Sequence, residues 1–135
     1  MAFQFSTTAR NAWLDAIETA IGTAPILRIR SGAVPANCGT ADSGTVLASM
    51  TLPSDWLAAA SGGSKALSGT WQDASADATG TAGHFRIYDS GGTVCHIQGS
   101  VTATGGGGDM TLASTSITSG LQIDVTTFTL TAGGA

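Results

Sequence analysis

The segment Thr81–Val101 constrains the fold of this chain more than any other part of the sequence. Within it, His84–Tyr88 and Val94–Val101 are both rich in aromatic and β-branched residues and alternate in polarity, a pattern typical of β-strands. Between them lies Asp89-Ser90-Gly91-Gly92, and a glycine-containing turn of this length joins antiparallel strands. The sequence therefore predicts a β-hairpin over this segment.

An amphipathic helix is predicted over residues 7–21. Its apolar side chains recur every three or four positions, at Ala9, Ala12, Trp13, Ala16, Ile17, Ala20 and Ile21. Ser6 or Thr7 is a suitable N-cap, and Gly22 is a suitable C-terminal stop. The helix is short and its polar face has no excess of Lys or Arg, which a membrane-surface helix would carry. We therefore expect the apolar stripe to pack on a sheet.

The rest of the chain predicts short strands separated by breaks rich in Gly, Ala and Ser. They are expected at residues 26–30, 45–52, 65–71, 110–113, around 117, and 121–130. In the last of them the alternation changes phase near Thr126-Thr127, which indicates a β-bulge. Ser31–Ser43 and Gln72–Gly80 are predicted to be loops, Pro53–Ala60 fits either a helical turn or a short strand, and Gly133–Ala135 is expected to fray.

Short strands at close intervals indicate an all-β fold, β-sandwich or jelly-roll-like, with one N-terminal α-helix. A length of 135 residues suits one domain with its own core. We expect residues 1–135 to form that domain, with the N-terminal arm and helix at 1–22 and the β-sandwich at 26–131. LRIRSG at 27–32 weakly matches FRIYDSG at 85–91, through either a duplicated hairpin or convergence of strands in similar environments.

The composition favours a protein that buries much of its surface against partners. Charged residues make up 10% of the chain, against about 25% in a typical globular protein. A monomer usually stays soluble through charge, and charge is depleted at the centre of interfaces. The alternative is a soluble sandwich that relies on the hydroxyl groups of its many Ser and Thr residues.

Charge and hydropathy argue against nucleic acid and against a membrane as partners. The net charge of −4 with only five basic residues argues against a nucleic-acid footprint, which needs clustered Lys and Arg. No run of apolar residues is long enough to span a membrane, and MAFQFSTTARN lacks the basic and apolar regions of a signal peptide. We expect neither nucleic acid nor membrane as a partner, and assembly in the cytoplasm of the cell that makes the chain.

No residue pattern indicates a catalytic or metal site. His84 and His96 lie on the two arms of the hairpin, where they are placed to face each other, but a metal site needs three or four ligands. Cys95 points to the opposite face from its neighbour His96. Cys38 and Cys95 lack CxxC spacing, so we expect two free thiols and a disulfide only if the fold brings them together. We predict no enzyme, no catalytic residues, no metal and no cofactor.

The remaining candidates for chemistry also have structural explanations. Asp73 and Asp77 lie in a small-residue loop, where Asp side chains usually bond to nearby backbone. The three tryptophans are candidates for a sugar-binding platform, but core or interface anchors fit them better. They are Trp13, Trp56 and Trp71.

Four segments resemble a group of small virion structural proteins of tailed bacteriophages and prophages. They are STTARNAWLDAIETAIG, ILRIRSGAVPAN, SADATGTAGHFRIYDSGGTVCHIQGSV and TSITSGLQIDVTTFTLT. The resemblance spans nearly the whole chain, and it is sharpest in the helix, in ADATGTA-x-x-FRIYD-x-x-G and in the C-terminal strand. The stretch SDWLAAASGGSK departs from the pattern.

The resemblance implies a virion protein encoded among head and tail genes, and within that class a capsid decoration or cement protein. Its partner would then be the major capsid protein, together with self-association as a dimer or trimer. We expect contact surface from Met1–Ile21 and from the loops Ser31–Ser43 and Gln72–Gly80. The candidate interface residues are Phe3, Phe5, Arg10, Trp13 and Trp56. The alternatives are a tail, collar or fibre-base component and a glycan-binding β-sandwich module.

Overall fold

The computed structural model describes residues 3–135. This part of the chain is β-rich, with 38% strand and 11% helix, and its main sheet curls into a half barrel. Helix α1 covers Thr7–Ile21. The strands are β1 Ile26–Ser31, β2 Val46–Thr51, β3 Ser64–Ala66, β4 Trp71–Asp73, β5 Gly80–Tyr88, β6 Cys95–Ala103, β7 Met110–Leu112, β8 Ser116–Ile117, β9 Ile123–Val125 and β10 Thr129–Thr131. A β-rich fold with an N-terminal helix is therefore confirmed.

The predicted hairpin is confirmed and lies at the centre of the main sheet. That sheet has the order β2-β1-β5-β6-β7, and β8 pairs with the start of β5. Its pairs are antiparallel except β6 with β7. In the turn, the Asp89 carboxylate accepts the backbone N–H groups of Thr93 at 2.9 Å and Val94 at 3.2 Å. Gly92 adopts φ 69°, a conformation that glycine reaches without strain.

One face of the main sheet carries the hydrophobic core. Leu27 of β1 and Ile87 of β5 are completely buried there, and Phe85 is 1% exposed. The ring of Phe85 meets that of Phe128 at 5.6 Å between centroids, and Phe128 lies 5.4 Å from Trp71. The small antiparallel pairs β3–β10 and β4–β9 thus contribute their apolar side chains to the same core.

Two of the predicted strands are each divided in the structure. Residues 65–71 were expected to form one strand, but β3 ends at Ala66 and β4 begins at Trp71. Gly69 lies between them with φ 72°, and a left-handed residue does not continue a strand. The expected strand 121–130 consists of β9 and β10, so the phase change near Thr126 marks a break and not a bulge.

The helix prediction is confirmed in its bounds and in both caps. The Ser6 side chain accepts the Ala9 N–H at 3.2 Å, and the Gly22 N–H donates to the Glu18 carbonyl at 2.9 Å. Within residues 3–135 no helix is long and apolar enough to cross a bilayer.

Candidate assembly surface

Only part of the apolar surface of helix α1 packs against the core. Leu14 and Ile21 are buried, and Ile17 packs against the core cluster. The side next to the buried one is exposed, and it carries five residues of the predicted stripe: Ala9, Ala12, Trp13, Ala16 and Ala20. The expectation that the whole stripe packs on a sheet is therefore wrong. A helix this long, about 22 Å, presents a continuous uncharged stripe along its outer side.

Two phenylalanines extend this outer side beyond the start of the helix. Phe3 is 87% exposed and Phe5 is 48% exposed. Phe5 meets Trp13 edge to face, with 6.2 Å between ring centroids, and Trp13 is itself 51% exposed. We call the whole set the N-terminal apolar face; it consists of Phe3, Phe5, Ala9, Ala12, Trp13, Ala16 and Ala20.

The segment that carries Phe5 is attached to the C-terminal end of the described chain. The Phe5 N–H donates to the Gly134 carbonyl at 2.6 Å. A Cβ at Gly134 would lie 2.5 Å from the Phe5 ring, which shows how closely the ring packs on that backbone. Where fraying was expected for Gly133–Ala135, the structure forms a contact that orients the phenylalanine. Met1 and Ala2, which belong to the predicted contact segment, lie outside the described residues.

The inner side of α1 is anchored by a buried lysine. Lys65 of β3 is 3% exposed, and its Nζ lies 2.7 Å from Asp15 Oδ1 and 2.8 Å from Glu18 Oε2. Burial alone would lower the pKa of Lys65, but the hydrogen bonds and charges of the two carboxylates outweigh burial and raise it. The ammonium therefore stays charged and fixes the rotation of the helix about its axis.

Two further contacts hold the start of α1 from inside. The Asn11 Oδ1 accepts the Gly63 N–H at 2.9 Å, and Arg10 Nη1 donates to the Ala132 carbonyl at 3.4 Å. The Arg10 guanidinium lies where a Cβ of Gly63 would be, and the φ of 78° at Gly63 is one that glycine adopts without strain. Arg10 thus faces the protein itself, and we remove it from the candidate interface.

Trp56 is also removed from the candidate interface because it is a core residue. It is 0% exposed, and its indole N–H donates to the Gly22 carbonyl at the end of α1 at 3.0 Å. Trp71 is 1% exposed and packs on Trp56 with 6.0 Å between ring centroids. Of the five predicted interface residues, the structure brings together Phe3, Phe5 and Trp13 at the surface.

The predicted contact loop between β1 and β2 lies on the other face of the main sheet. This polar face of the sheet carries Arg28, Arg30, His84, Arg86, Tyr88 and Gln98. The β1–β2 loop, residues 32–45, covers it. Gln98 donates to the Pro35 carbonyl at 2.7 Å, and Arg86 Nη2 donates to the carbonyls of Asn37 and Thr40 at 3.1 and 3.0 Å. The loop is therefore held by side chains of the sheet.

Asp42 is the acceptor that completes this attachment. Its carboxylate accepts from Arg30 at 3.0 Å, from Arg86 at 2.8 Å and from the Tyr88 hydroxyl at 2.6 Å. Burial alone would raise the pKa of Asp42, but the hydrogen bonds from Tyr88 and Arg86 and the positive charges of Arg30 and Arg86 together lower it. The carboxylate is thus held in its ionised form.

The two histidines of the hairpin do not face each other. His84 pairs with Ser100, is 0% exposed, and its Nδ1 lies 3.0 Å from the Gly32 carbonyl. His96 is the additional residue of a β-bulge, since Ile87 pairs with Ile97 while Tyr88 pairs with Cys95. Among the described residues no group of His, Cys, Asp and Glu is arranged to hold a metal ion.

The other predicted contact loop, Gln72–Gly80, contains strand residues and a carboxylate that binds backbone. Residues 72 and 73 belong to β4. Asp73 accepts the Ser75 N–H at 3.0 Å, which is the local role expected for it. It also accepts the Ser49 N–H of β2 at 2.9 Å. Burial and the charge of Asp73 raise the pKa of Asp77.

Comparison with known proteins gives no relative. No family model, no curated protein and no solved structure matches this chain.

Proposed function

We propose that this chain is a structural virion protein that binds and stabilises a bacteriophage capsid shell, as a decoration or cement protein. Its role in this proposal is structural, without catalytic residues or cofactors, and its partner is the major capsid protein. The observation that carries the proposal is the N-terminal apolar face, a rigidly held, uncharged surface with three exposed aromatic rings. The sequence resemblance to virion proteins supplies the class of particle.

The N-terminal apolar face has the chemistry of a protein contact. Aromatic residues are enriched at the centre of interfaces, and tryptophan is the commonest energetic anchor there. Trp13 is about half exposed in the described chain, and Phe3 is almost fully exposed. Small side chains on the outer side of α1 allow a partner to approach the helix backbone closely, so that Trp13 and the phenylalanines can enter pockets beside it.

The attachment of α1 makes the face ready to bind without reorganisation. Lys65, Asn11 and Arg10 hold the helix from inside, and Phe5 is tied to Gly134. A preformed contact surface avoids part of the ordering cost of association. On a shell, many symmetric copies reinforce one another, so each site needs only modest affinity.

We also propose that the fold is a β-sandwich of jelly-roll-like form. The curled main sheet supplies one layer, and the pairs β3–β10 and β4–β9 pack their apolar side chains into the same core. Such a body suits a cement protein because its two ends carry loops at fixed positions. The β1–β2 loop, pinned by Arg86 and Asp42, offers a second contact region of this kind.

Copy number in purified virions tests the proposed function. Quantitative mass spectrometry of the phage or prophage particle that encodes this chain gives the number of copies relative to the major capsid protein. A decoration protein is present at on the order of hundreds of copies, as shell symmetry requires. About a dozen copies or fewer would assign the chain to the portal, collar or tail instead. Its absence from virions would overturn the proposal.

A further inference from the structure

Both cysteines of the chain come from distant segments and lie on the same side of the main sheet. Cys38 is in the β1–β2 loop, and Cys95 is the first residue of β6. Both are partly buried, with free thiols. Nothing in the sequence spacing predicts that they meet.

A β-bulge turns Cys95 towards the loop. Ile97 packs against the hydrophobic core, so regular alternation would direct Cys95, two residues earlier, to the core face as well. The additional residue His96 changes the phase, and Cys95 pairs with Tyr88. Cys95 therefore shares the polar face with Tyr88 and Arg86, beneath the β1–β2 loop.

Arg86 and Tyr88 hold the part of the β1–β2 loop that contains Cys38 against the polar face of the main sheet. Arg86 Nη2 donates to the carbonyls of Asn37 and Thr40, on either side of Cys38 in the loop. The Tyr88 hydroxyl and Arg86 Nη1 both donate to Asp42, further along the same loop. The loop therefore carries Cys38 over the part of the polar face that holds Cys95, and interaction with the Cys38 thiol raises the pKa of Cys95.

We propose that Cys38 and Cys95 form an intramolecular disulfide when the chain meets a low-molecular-weight disulfide such as oxidised glutathione. The Cys38 thiolate attacks one glutathione sulfur, which forms a mixed disulfide and releases one glutathione thiolate. The Cys95 thiolate then attacks the Cys38 sulfur and releases the second glutathione. The two cysteine protons end on the two reduced glutathiones, and the pair of electrons passes from the protein thiols to the small molecule.

The surroundings of Cys95 make this bond slow to form. Burial, and then hydrogen bonding to Cys38, raise the pKa of Cys95 to about 12. The charge of Arg86 acts in the opposite direction, and that of Asp42 adds to the increase. Since the thiolate is the reacting form, the raised pKa keeps Cys95 mostly protonated at neutral pH and slows its reaction, so the bond is expected to form faster at alkaline pH.

The disulfide would fasten the β1–β2 loop to β6 covalently. It would close a loop of about 60 residues, a length at which a cross-link strongly restricts the unfolded chain. In a particle assembled in a reducing cytoplasm and then released, it would stabilise the protein after release. This last consequence rests on the proposed function, whereas the formation of the bond does not.

The experiment uses the purified full chain, incubated to completion with oxidised glutathione at pH 8.5, with a sample in dithiothreitol as reference. We expect intact mass to show the loss of two hydrogen masses in a monomer, and peptide mapping to show Cys38 linked to Cys95. In Cys38→Ser and Cys95→Ser, treated identically, the one remaining cysteine is expected either to carry a glutathione or to stay a free thiol. The oxidised wild type should unfold at a temperature higher by about 5 °C or more than oxidised Cys38→Ser.

Three results would overturn the proposal: glutathione on both cysteines without an internal bond, two free thiols after trapping in denaturant, or only disulfide-linked dimers. All three results are measured on the purified chain alone, without virions. The virion copy number therefore tests the proposed function separately, and either proposal can fail while the other stands.

Discussion

Phe5 and Trp13 meet edge to face on the outside of the protein, with an angle of 71° between their ring planes. The contact orients two aromatic rings in the N-terminal apolar face while leaving about half of each exposed. An edge-to-face pair of this kind contributes about 1 kcal/mol. It thus holds Trp13 in one orientation without burying it, as an anchor for a partner requires.

Replacing Trp13 should separate binding from folding. In Trp13→Ala we expect the free energy of unfolding to fall by about 1–2 kcal/mol, because the residue is 51% exposed and loses its edge-to-face pair with Phe5. Chemical denaturation measures this change. Trp71→Ala is the contrasting variant, since Trp71 is 1% exposed and truncation of a core tryptophan costs about 3–5 kcal/mol. Equal losses in the two variants would contradict the surface position of Trp13.

Lys65 should stabilise the protein through its two carboxylate partners. We expect Lys65→Met to lower the free energy of unfolding by about 2 kcal/mol, because Asp15 and Glu18 are left adjacent and unneutralised. Thermal denaturation of Lys65→Met, Glu18→Gln and the double variant forms a cycle. If the ion pair stabilises the fold, the double variant loses less stability than the sum of the losses in the two single variants. Strict additivity would show that the carboxylates do not depend on the lysine.

The raised pKa of Lys65 also predicts a loss of stability in alkali. Since the folded-state pKa lies above the ordinary value of 10.5, the stabilising contribution is complete below pH 10.5. It is lost as the pH rises through the folded-state pKa. Denaturation midpoints measured from pH 9 upward should decrease more steeply for the wild type than for Lys65→Met. Parallel curves would exclude this lysine as the cause.

Asp42 should determine whether the β1–β2 loop stays on the sheet. We expect Asp42→Asn to cost about 1–2 kcal/mol, because the buried Arg30 and Arg86 lose a charged acceptor, while the 39% exposure of the Asp42 side chain screens part of the interaction. Asp124→Asn is the matched control, since Asp124 is exposed and, within residues 3–135, its side chain accepts from Gln122 alone. Hydrogen exchange should show faster exchange in the β1–β2 loop of Asp42→Asn alone.

The lowered pKa of Asp42 predicts that the attachment of the β1–β2 loop weakens in acid. Its stabilising contribution is complete above the ordinary carboxyl value of 3.8 and is lost as the pH falls through the lower folded-state pKa. Between pH 4 and pH 2 the stability of the wild type should therefore fall towards that of Asp42→Asn. A constant difference between the two proteins across this range would contradict the assignment.

Gly83 should be irreplaceable within β5. A Cβ there would clash with the Gly32 carbonyl of the neighbouring backbone, which cannot move as a side chain can. We expect Gly83→Ala to destabilise the fold by about 2 kcal/mol or more. Gly133→Ala is the control, since no atom lies near its Cβ position, and we expect no change in its melting temperature.

Local patterns in the sequence predicted the elements that depend on local chemistry. The bounds of α1 follow from Ser6, Gly22 and the helical spacing between them. The hairpin follows from its alternation and from Asp89, whose carboxylate binds the turn. These signals lie within a few residues of the structure that they determine, so they could be recognised without knowledge of the rest of the chain.

The orientation of α1 could not be predicted in the same way. Counting alanines as apolar gave Ala9, Ala12, Ala16 and Ala20 the same weight as Ile17 and Ile21. In the structure the larger side chains Leu14, Ile17 and Ile21 choose the buried side, because they bury more area than alanine does. The attachment of Asp15 and Glu18 to Lys65, 50 residues from Asp15, confirms that choice and has no local signature.

The candidate surface was therefore predicted in part, and the polar face was missed. Phe3, Phe5 and Trp13 were named from the sequence as candidate interface residues of the N-terminal segment. Arg86 and Asp42 are 44 residues apart, and only the pairing of β1, β5 and β6 brings them together. The same long-range pairing, with the bulge at His96, places both cysteines on the polar face of the main sheet.

The most direct test of the central claim is the copy number of Trp13→Ala in purified virions, measured beside the wild type and Leu121→Ala. Leu121 is a large apolar residue, 47% exposed, outside the N-terminal apolar face. The account predicts on the order of hundreds of copies for the wild type and for Leu121→Ala. For Trp13→Ala it predicts at least about a fivefold decrease, because loss of an interface tryptophan costs about 2 kcal/mol of binding. Equal incorporation of a folded Trp13→Ala variant would contradict it.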